Sequence, residues 1–347
     1  MMNKQHPLYQ EDLQYILKTQ DIETIQNKSF LITGSTGLIG TCLIDALMLY
    51  NQLGANIKIF AVGRSKSKAF ERFRMYYNNP YFHFIEQDVR VPLPNELMVD
   101  YILPLASNTH PLAYSEYPIE TIEINVKGVE HALKKASECG AVVIYPSSVE
   151  IYGNTRNNED VFSEDYTGNL NLLNARSCYP ESKRLSESLC QSYLIEKNVC
   201  VKIARLSRVF GPTMLENDTK ASSQFLLKAL RHEDIVLKSN GEQFFSYTYV
   251  SDAVSALLHI LIHGIKGQVY NISSDLSNIH LKDFANLCAK WANKRVIYEL
   301  PSEKENKGYS IAMKAIMSND RLSQIGWYST ITVENAIKRT LDILSCP

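Results

Sequence analysis

Phe30-Leu31-Ile32-Thr33-Gly34-Ser35-Thr36-Gly37-Leu38-Ile39-Gly40 constrains the fold more than any other stretch of the chain. A short apolar run ends in a turn with a glycine at every third position, and an amphipathic segment follows at once. A buried strand that breaks into such a turn and opens a helix lets the backbone pass close to a pyrophosphate. It also aims the helix N-terminus at the phosphate charge. The turn therefore points to a dinucleotide, with Gly34, Thr36, Gly37, Leu38, Ile39 and Gly40 at the ligand.

The pattern that follows supports this reading. Strand candidates are Ser29–Thr33, Ile57–Val62, Tyr81–Glu86, Tyr101–Pro104, Ala141–Tyr145 and Val199–Leu206. Amphipathic stretches lie between them: Leu38–Leu53, Ser65–Tyr77, Pro118–Cys139 and Pro180–Lys197. Short apolar strands alternating with helices indicate a parallel sheet covered on both faces, the doubly wound, Rossmann-type α/β class. Beyond Phe210-Gly211-Pro212 the pattern loosens. Asn217–Ser223 reads as a loop, Gln224–Arg231 as a helix and Phe244–Val250 as a strand leading into helix Ser251–His263. Leu281–Asn293, Ser318–Ile325 and Val333–Leu344 read as further helices. The expected division is a helical extension over residues 1–28 and a nucleotide-binding domain over 29–206, joined by about 244–272. A smaller mixed α/β substrate domain takes 207–243 and 273–347.

Composition narrows the class. The 347 residues carry a formal net charge of −1, so no basic excess argues for nucleic acid. No apolar run approaches the roughly 20 residues needed to cross a bilayer, and the polar first residues lack the core of a signal peptide. The seven cysteines are scattered, with no spacing that suggests paired bridges or a metal site. A reduced, cytoplasmic protein without a metal is expected.

Other residues carry chemistry. Where an acidic residue after the second strand would favour NAD by accepting from the ribose 2′-hydroxyl, this chain has Arg64-Ser65-Lys66. Arg64 and Lys66 suit a 2′-phosphate, and Ser65 adds a donor. NADP is thus expected ahead of NAD. Asp88-Val89, past the third strand, is placed to meet adenine. Tyr179-Pro180-Glu181-Ser182-Lys183 puts Tyr and Lys on one helix face, with the proline tolerable in a first turn. Among 20 tyrosines roughly one such pair arises by chance, so its weight comes from the glycine turn and an upstream serine. A phenol with a reference pKa of about 10 becomes a base near neutral pH only after a shift of roughly three units, about 4 kcal/mol. A lysine ammonium and a nicotinamide cation beside it supply that shift. Ser148 ends a buried strand, where such sheets place functional groups, and suits a substrate carbinol or ketone. Glu150, two residues on, is a second acid or base candidate.

Together these residues resemble the extended short-chain dehydrogenase/reductase family, the NAD-dependent epimerase/dehydratase group, from Ser29 over nearly all of the chain. The nearest pattern is its UDP-glucuronic acid decarboxylase branch. Ala106-Ser107, Tyr117-Pro118-Ile119, Ser148-Val149-Glu150-Ile151-Tyr152-Gly153, Cys178-Tyr179 with Lys183-Arg184, Ala204-Arg205 with Phe210-Gly211-Pro212, and Tyr249-Val250-Ser251-Asp252 carry the resemblance. It implies transient oxidation of a sugar C4 hydroxyl by bound NAD(P), followed by epimerisation, elimination, decarboxylation or reduction. In that scheme Tyr179 is the base, Lys183 lowers its pKa and holds the nicotinamide ribose, Ser148 binds the reacting oxygen, and Ala106 lies at the cofactor. The resemblance also implies a homodimer built on two helices per subunit, here about Ile119–Cys139 and Pro180–Lys197.

Three departures qualify it. The dehydratase aspartate is replaced by Val149, which disfavours 4,6-elimination. The family's arginine shortly before Tyr-Val-Ser-Asp is replaced by Phe245, and its asparagine before Phe-Gly-Pro by Arg208. Set against the family pattern, these two changes imply a substrate-site cation moved from one wall to the other, and Arg208 is expected to contact a substrate phosphate. The expected activity is that of a sugar-modifying enzyme of epimerase or decarboxylase type, acting on a sugar nucleotide or phosphorylated sugar. An NADPH-dependent reductase of a ketose phosphate or 4-keto sugar is the alternative, and a non-catalytic cofactor-sensing regulator is the rival outside catalysis.

Overall fold

The computed structural model describes residues 2–18, 21–109, 111–155, 161–299 and 312–346. Helix α1 (Pro7–Lys18) and a short turn at Ile22–Ile25 precede the first strand. The first half then alternates: β1 (Ser29–Thr33), α2 (Leu38–Gln52), β2 (Lys58–Gly63), α3 (Lys66–Phe73), β3 (Phe82–Glu86), β4 (Tyr101–Pro104), α4 (Pro111–Glu116), α5 (Pro118–Cys139), β5 (Val142–Ser148), α6 (Cys178–Lys197) and β6 (Cys200–Leu206). The second half contains β7 (Arg208–Phe210), α7 (Ala221–Leu230), β8 (Ile235–Leu237), β9 (Phe244–Tyr249), α8 (Val250–His263), β10 (Val269–Ile272), β11 (Asn278–His280), α9 (Leu281–Ala292), β12 (Val296–Tyr298) and β13 (Lys314–Ala315). Two further helices follow, Asp320–Gln324 and Val333–Ser345.

Seven parallel strands form the main sheet in the order β10-β6-β5-β4-β1-β2-β3. Strand order reverses between β1 and β4, so the sheet opens a crevice at their C-terminal ends, where such folds bind ligands. Helices α2 and α8 cover one face, with Leu43, Leu47, Val254 and Leu258 in a single core. Helices α5 and α6 cover the other, with Val129, Leu133 and Cys190 packed on Leu31, Ile102 and Val143. Pro118 opens α5 at a position that needs no amide hydrogen, and Gly140 closes it in the left-handed conformation.

The smaller sheet is built on β9, which pairs with β11, β13 and β7. The expected division grouped residues 244–272 with the nucleotide-binding half. The pairings place β9 in the smaller sheet, while α8 and β10 serve the larger one. Alternation of side chains shows that a segment is a strand but leaves its partner unspecified. The expected loop Asn217–Ser223 is shorter, because α7 already begins at Ala221. The N-terminal extension is docked: the Tyr249 hydroxyl and Arg339 both donate to Asp12, and Tyr15 donates to Asp252.

Candidate functional site

The glycine turn forms a cradle. Gly34 has a φ of 62°, and a Cβ there would lie 2.7 Å from the backbone of Ala106, which follows β4. A Cβ at Gly40 would meet the Gly34 carbonyl at 2.7 Å. Only glycine lets β1, the β4 loop and the first turn of α2 approach this closely. Gly37 has an ordinary φ of −75°; it caps α2 without a side chain and leaves the helix N-terminus bare. Thr36, Leu38 and Ile39 complete the turn, and the Leu38 carbonyl accepts from Thr213 of the second half. Unpaired first-turn amides and the absent Cβ atoms suit a pyrophosphate.

At the far end of the crevice the polar groups already have partners. Arg64 pairs with Glu120 at 2.9 Å, and its side chain is more than half exposed. The Ser65 hydroxyl accepts from Lys68 N–H and so caps α3. Lys66 donates its backbone N–H to Glu86. Asp88 is gripped by Arg90 at 2.8 Å, which holds its carboxyl below the usual range. Val89 packs on Gly128 of α5.

Ser148, Tyr179 and Lys183 converge beside the crevice. Ser148 is the last residue of β5, because that strand runs three residues beyond its expected end. Helix α6 starts at Cys178, so Tyr179 and Lys183 share a face within its first two turns. Burial pushes the Tyr179 phenol up to about 12, and a hydrogen bond with Ser148 opposes that rise. Lys183 donates to the Pro146 carbonyl at 2.9 Å, and its ammonium lies 5.9 Å from the centre of the Tyr179 ring. Burial lowers Lys183 to about 8, which leaves it mostly charged at neutral pH. Tyr114 of α4 stacks on Tyr179 with ring centres 4.7 Å apart.

A cleft of about 550 Å³, open mouth included, adjoins this cluster; its polar lining includes Glu150, Asn174, Arg176 and Arg208. Burial pushes the Glu150 carboxyl up, but Arg176 at 2.8 Å and Arg208 at 3.7 Å outweigh it and hold the group below its ordinary value. Glu150 is therefore a charged acceptor and a poor acid. The guanidinium of Arg208 lies over the Phe245 ring, 3.5 Å from its centre. Parallel pairing of β7 with β9 produces that contact, so the two departures from the family pattern touch each other. Nη1 of Arg208 is buried with no protein partner.

Sequence reasoning missed Arg176 and Tyr114. Arg176 sits in the short turn Ala175–Ser177 ahead of α6; its only signal was its place one turn before Tyr179. Among the described residues no group of three or more His, Cys, Asp or Glu could hold a metal ion, and no helix is long and apolar enough to cross a membrane.

The model of the NAD dependent epimerase/dehydratase family matches residues 30–273. UDP-glucuronic acid decarboxylase 1 of Xenopus tropicalis is 34% identical over 242 residues, 70% of this chain and 55% of that protein. UDP-glucuronic acid decarboxylase 4 of Arabidopsis thaliana is 36% identical over 231 residues, 67% of this chain and 50% of that one. The matched region thus spans about half the length of these relatives. The crystal structure of UDP-glucuronic acid 4-epimerase from Bacillus cereus, in complex with UDP-glucuronic acid and NAD, superposes with a TM-score of 0.76 at 19% identity. The superposition covers 91% of this chain and 98% of that one.

Proposed function

The chain belongs to the NAD dependent epimerase/dehydratase family, and on that premise we propose that it modifies a nucleotide-activated sugar through transient oxidation at C4, with an epimerase or decarboxylase outcome. The observation that carries this is the convergence of Ser148, Tyr179 and Lys183, beside a cleft that holds an ionised carboxylate and two arginines. The similarity to UDP-glucuronic acid decarboxylases supports a UDP-sugar as substrate.

In this reading Gly34, Gly37, Gly40 and Ala106 admit the cofactor pyrophosphate. The cofactor, when bound, supplies a hydride acceptor that later returns the hydride. Ser148 holds the C4 oxygen, Tyr179 takes its proton, and the Lys183 ammonium stabilises the phenolate. Glu150, kept charged by Arg176, cannot donate the proton that departure of a 6-hydroxyl requires, and Val149 offers no acid in its place. A 4,6-elimination is therefore disfavoured. Arg208 is assigned to an anionic group of the substrate. The scattered cysteines, all unbridged, suit a reduced cytoplasmic setting.

Incubation of the purified chain with UDP-glucuronate and NAD or NADP, followed by mass spectrometry and NMR of the sugar, tests the proposal. A product lighter by one carbon dioxide, or a C4 epimer of unchanged mass, is expected. Stoichiometric consumption of NADPH with a 4-keto sugar or ketose phosphate would favour the reductase instead.

NADP(H) is expected to bind more tightly than NAD(H), with the preference reduced in Arg64→Ala. The Arg64–Glu120 pair is exposed and worth about 0–1 kcal/mol, so it yields readily to a 2′-phosphate. Calorimetry that finds NAD bound tenfold tighter would overturn the assignment. A homodimer is also expected. Ile119 and Ile122 on α5 and Leu185 and Ile195 on α6 are exposed apolar side chains on two adjacent helices. Light scattering that returns a monomer at micromolar concentration would contradict it.

A further inference from the structure

We propose that Arg176 is a positioning residue that sets the protonation of Tyr179, through the carboxylate of Glu150 and the ring of Tyr114; the proposal rests on the reading of Tyr179 as the base. Two contacts place it there. Nη1 of Arg176 donates to Oε2 of Glu150 at 2.8 Å, and both side chains are largely buried. The guanidinium also lies over the Tyr114 ring, 5.6 Å from its centre, and that ring stacks on Tyr179 at 4.7 Å. The backbone of Arg176 is fixed in turn, since its N–H donates to the Asn174 side chain.

The groups facing Tyr179 show why this matters. Lys183 and Cys178 share its helix, Ser148 and Tyr145 come from β5, Tyr114 from α4, and Glu150 and Arg176 from the turns on either side. Glu150 is the carboxylate among them, and it raises the phenol pKa. A buried negative charge beside a group that must itself become negative opposes the reaction, and a cation on that charge removes the opposition. Arg208 is poorly placed for this task. Its closest approach to Glu150 is 3.7 Å, beyond a hydrogen bond, and it stacks on Phe245 instead. Arg176 thus neutralises Glu150, and Arg208 is left for the substrate.

The test compares Arg176→Met, Arg176→Lys, Glu150→Gln and the Met/Gln double variant in the full chain. Ionisation of Tyr179 is read as the tyrosinate absorbance that each NAD-bound protein loses when Tyr179→Phe is added, and the pH–rate profile with UDP-glucuronate is recorded in parallel. Arg176→Met should raise the Tyr179 midpoint by about one pH unit, Glu150→Gln should lower it, and the double variant should return towards wild type. Arg176→Lys should stay close to wild type. An unmoved midpoint in Arg176→Met, or shifts of the same sign in Arg176→Met and Glu150→Gln, would overturn the proposal. If Arg176→Met does not fold, a Glu150→Gln midpoint that fails to fall overturns it as well. The absorbance arm needs no turnover. Absence of any reaction with UDP-sugars would therefore bring down the reading of the substrate while the assignment of Arg176 is still decided.

Discussion

Tyr179→Phe is expected to lower turnover by at least 10²-fold while fold and cofactor binding survive. Phenylalanine keeps the ring that stacks on Tyr114 at 4.7 Å, and the buried space stays filled. What is lost is the phenolic oxygen, the atom proposed to take the C4 proton. Burial pushes that phenol up to about 12, so it is almost wholly protonated at neutral pH and little phenolate is available as the base. Positive charge must bring it down. Lys183, mostly protonated below its lowered pKa of about 8, supplies part of that charge, and a bound nicotinamide cation supplies more. In the proposed mechanism the phenolate is the active form, so the rate should rise with pH through the Tyr179 pKa of the complex. It should fall again where Lys183 loses its proton. Circular dichroism and calorimetry with NAD and NADP check the intact fold. Near-normal turnover would remove Tyr179 from the mechanism.

Much of the half that carries the glycine turn was legible in the sequence, for a physical reason. Its signals are local: the change of period at Thr33-Gly34, the glycine spacing, and a Tyr and Lys one helical turn apart. The structure brings Ser148, Tyr179 and Lys183 together. Contacts made across the chain were not legible. Nothing near Arg208 says that β7 pairs with β9 and lays its guanidinium on Phe245. Arg176 and Tyr114 belong to no local pattern; α4 and the turn before α6 are far apart in the sequence and are brought together only by the tertiary fold. The helix start also shifted. With Pro180 in the first turn, Cys178 rather than Pro180 opens α6, since a proline there forfeits no helical hydrogen bond.

Arg208→Ala is expected to weaken substrate binding by about 2–5 kcal/mol, roughly 30-fold to several thousand-fold in Kd, with cofactor affinity unchanged. The Arg208 guanidinium is largely buried yet under-used. Its Nη1 has no partner, and its nearest carboxylate is held more closely by Arg176. Burial lowers its pKa, yet an arginine stays charged at neutral pH, so the site carries a desolvated cation with hydrogen-bond donors to spare. Such a group costs stability unless a ligand completes it. Phe245 fixes the plane of the guanidinium from beneath, which leaves its edge for an oxyanion of the substrate. Arg208→Lys should rescue little, because an ammonium neither stacks nor presents a fork. The exchange variant Arg208→Asn with Phe245→Arg is the sharper test. It restores the arrangement of cations that the family pattern implies, and it should recover affinity that Arg208→Asn alone has lost. Calorimetry with a non-reacting UDP-sugar measures both. An unchanged substrate Kd in Arg208→Ala would show that the displaced arginine does not hold the substrate, and an equal loss for cofactor would place its effect on the crevice as a whole.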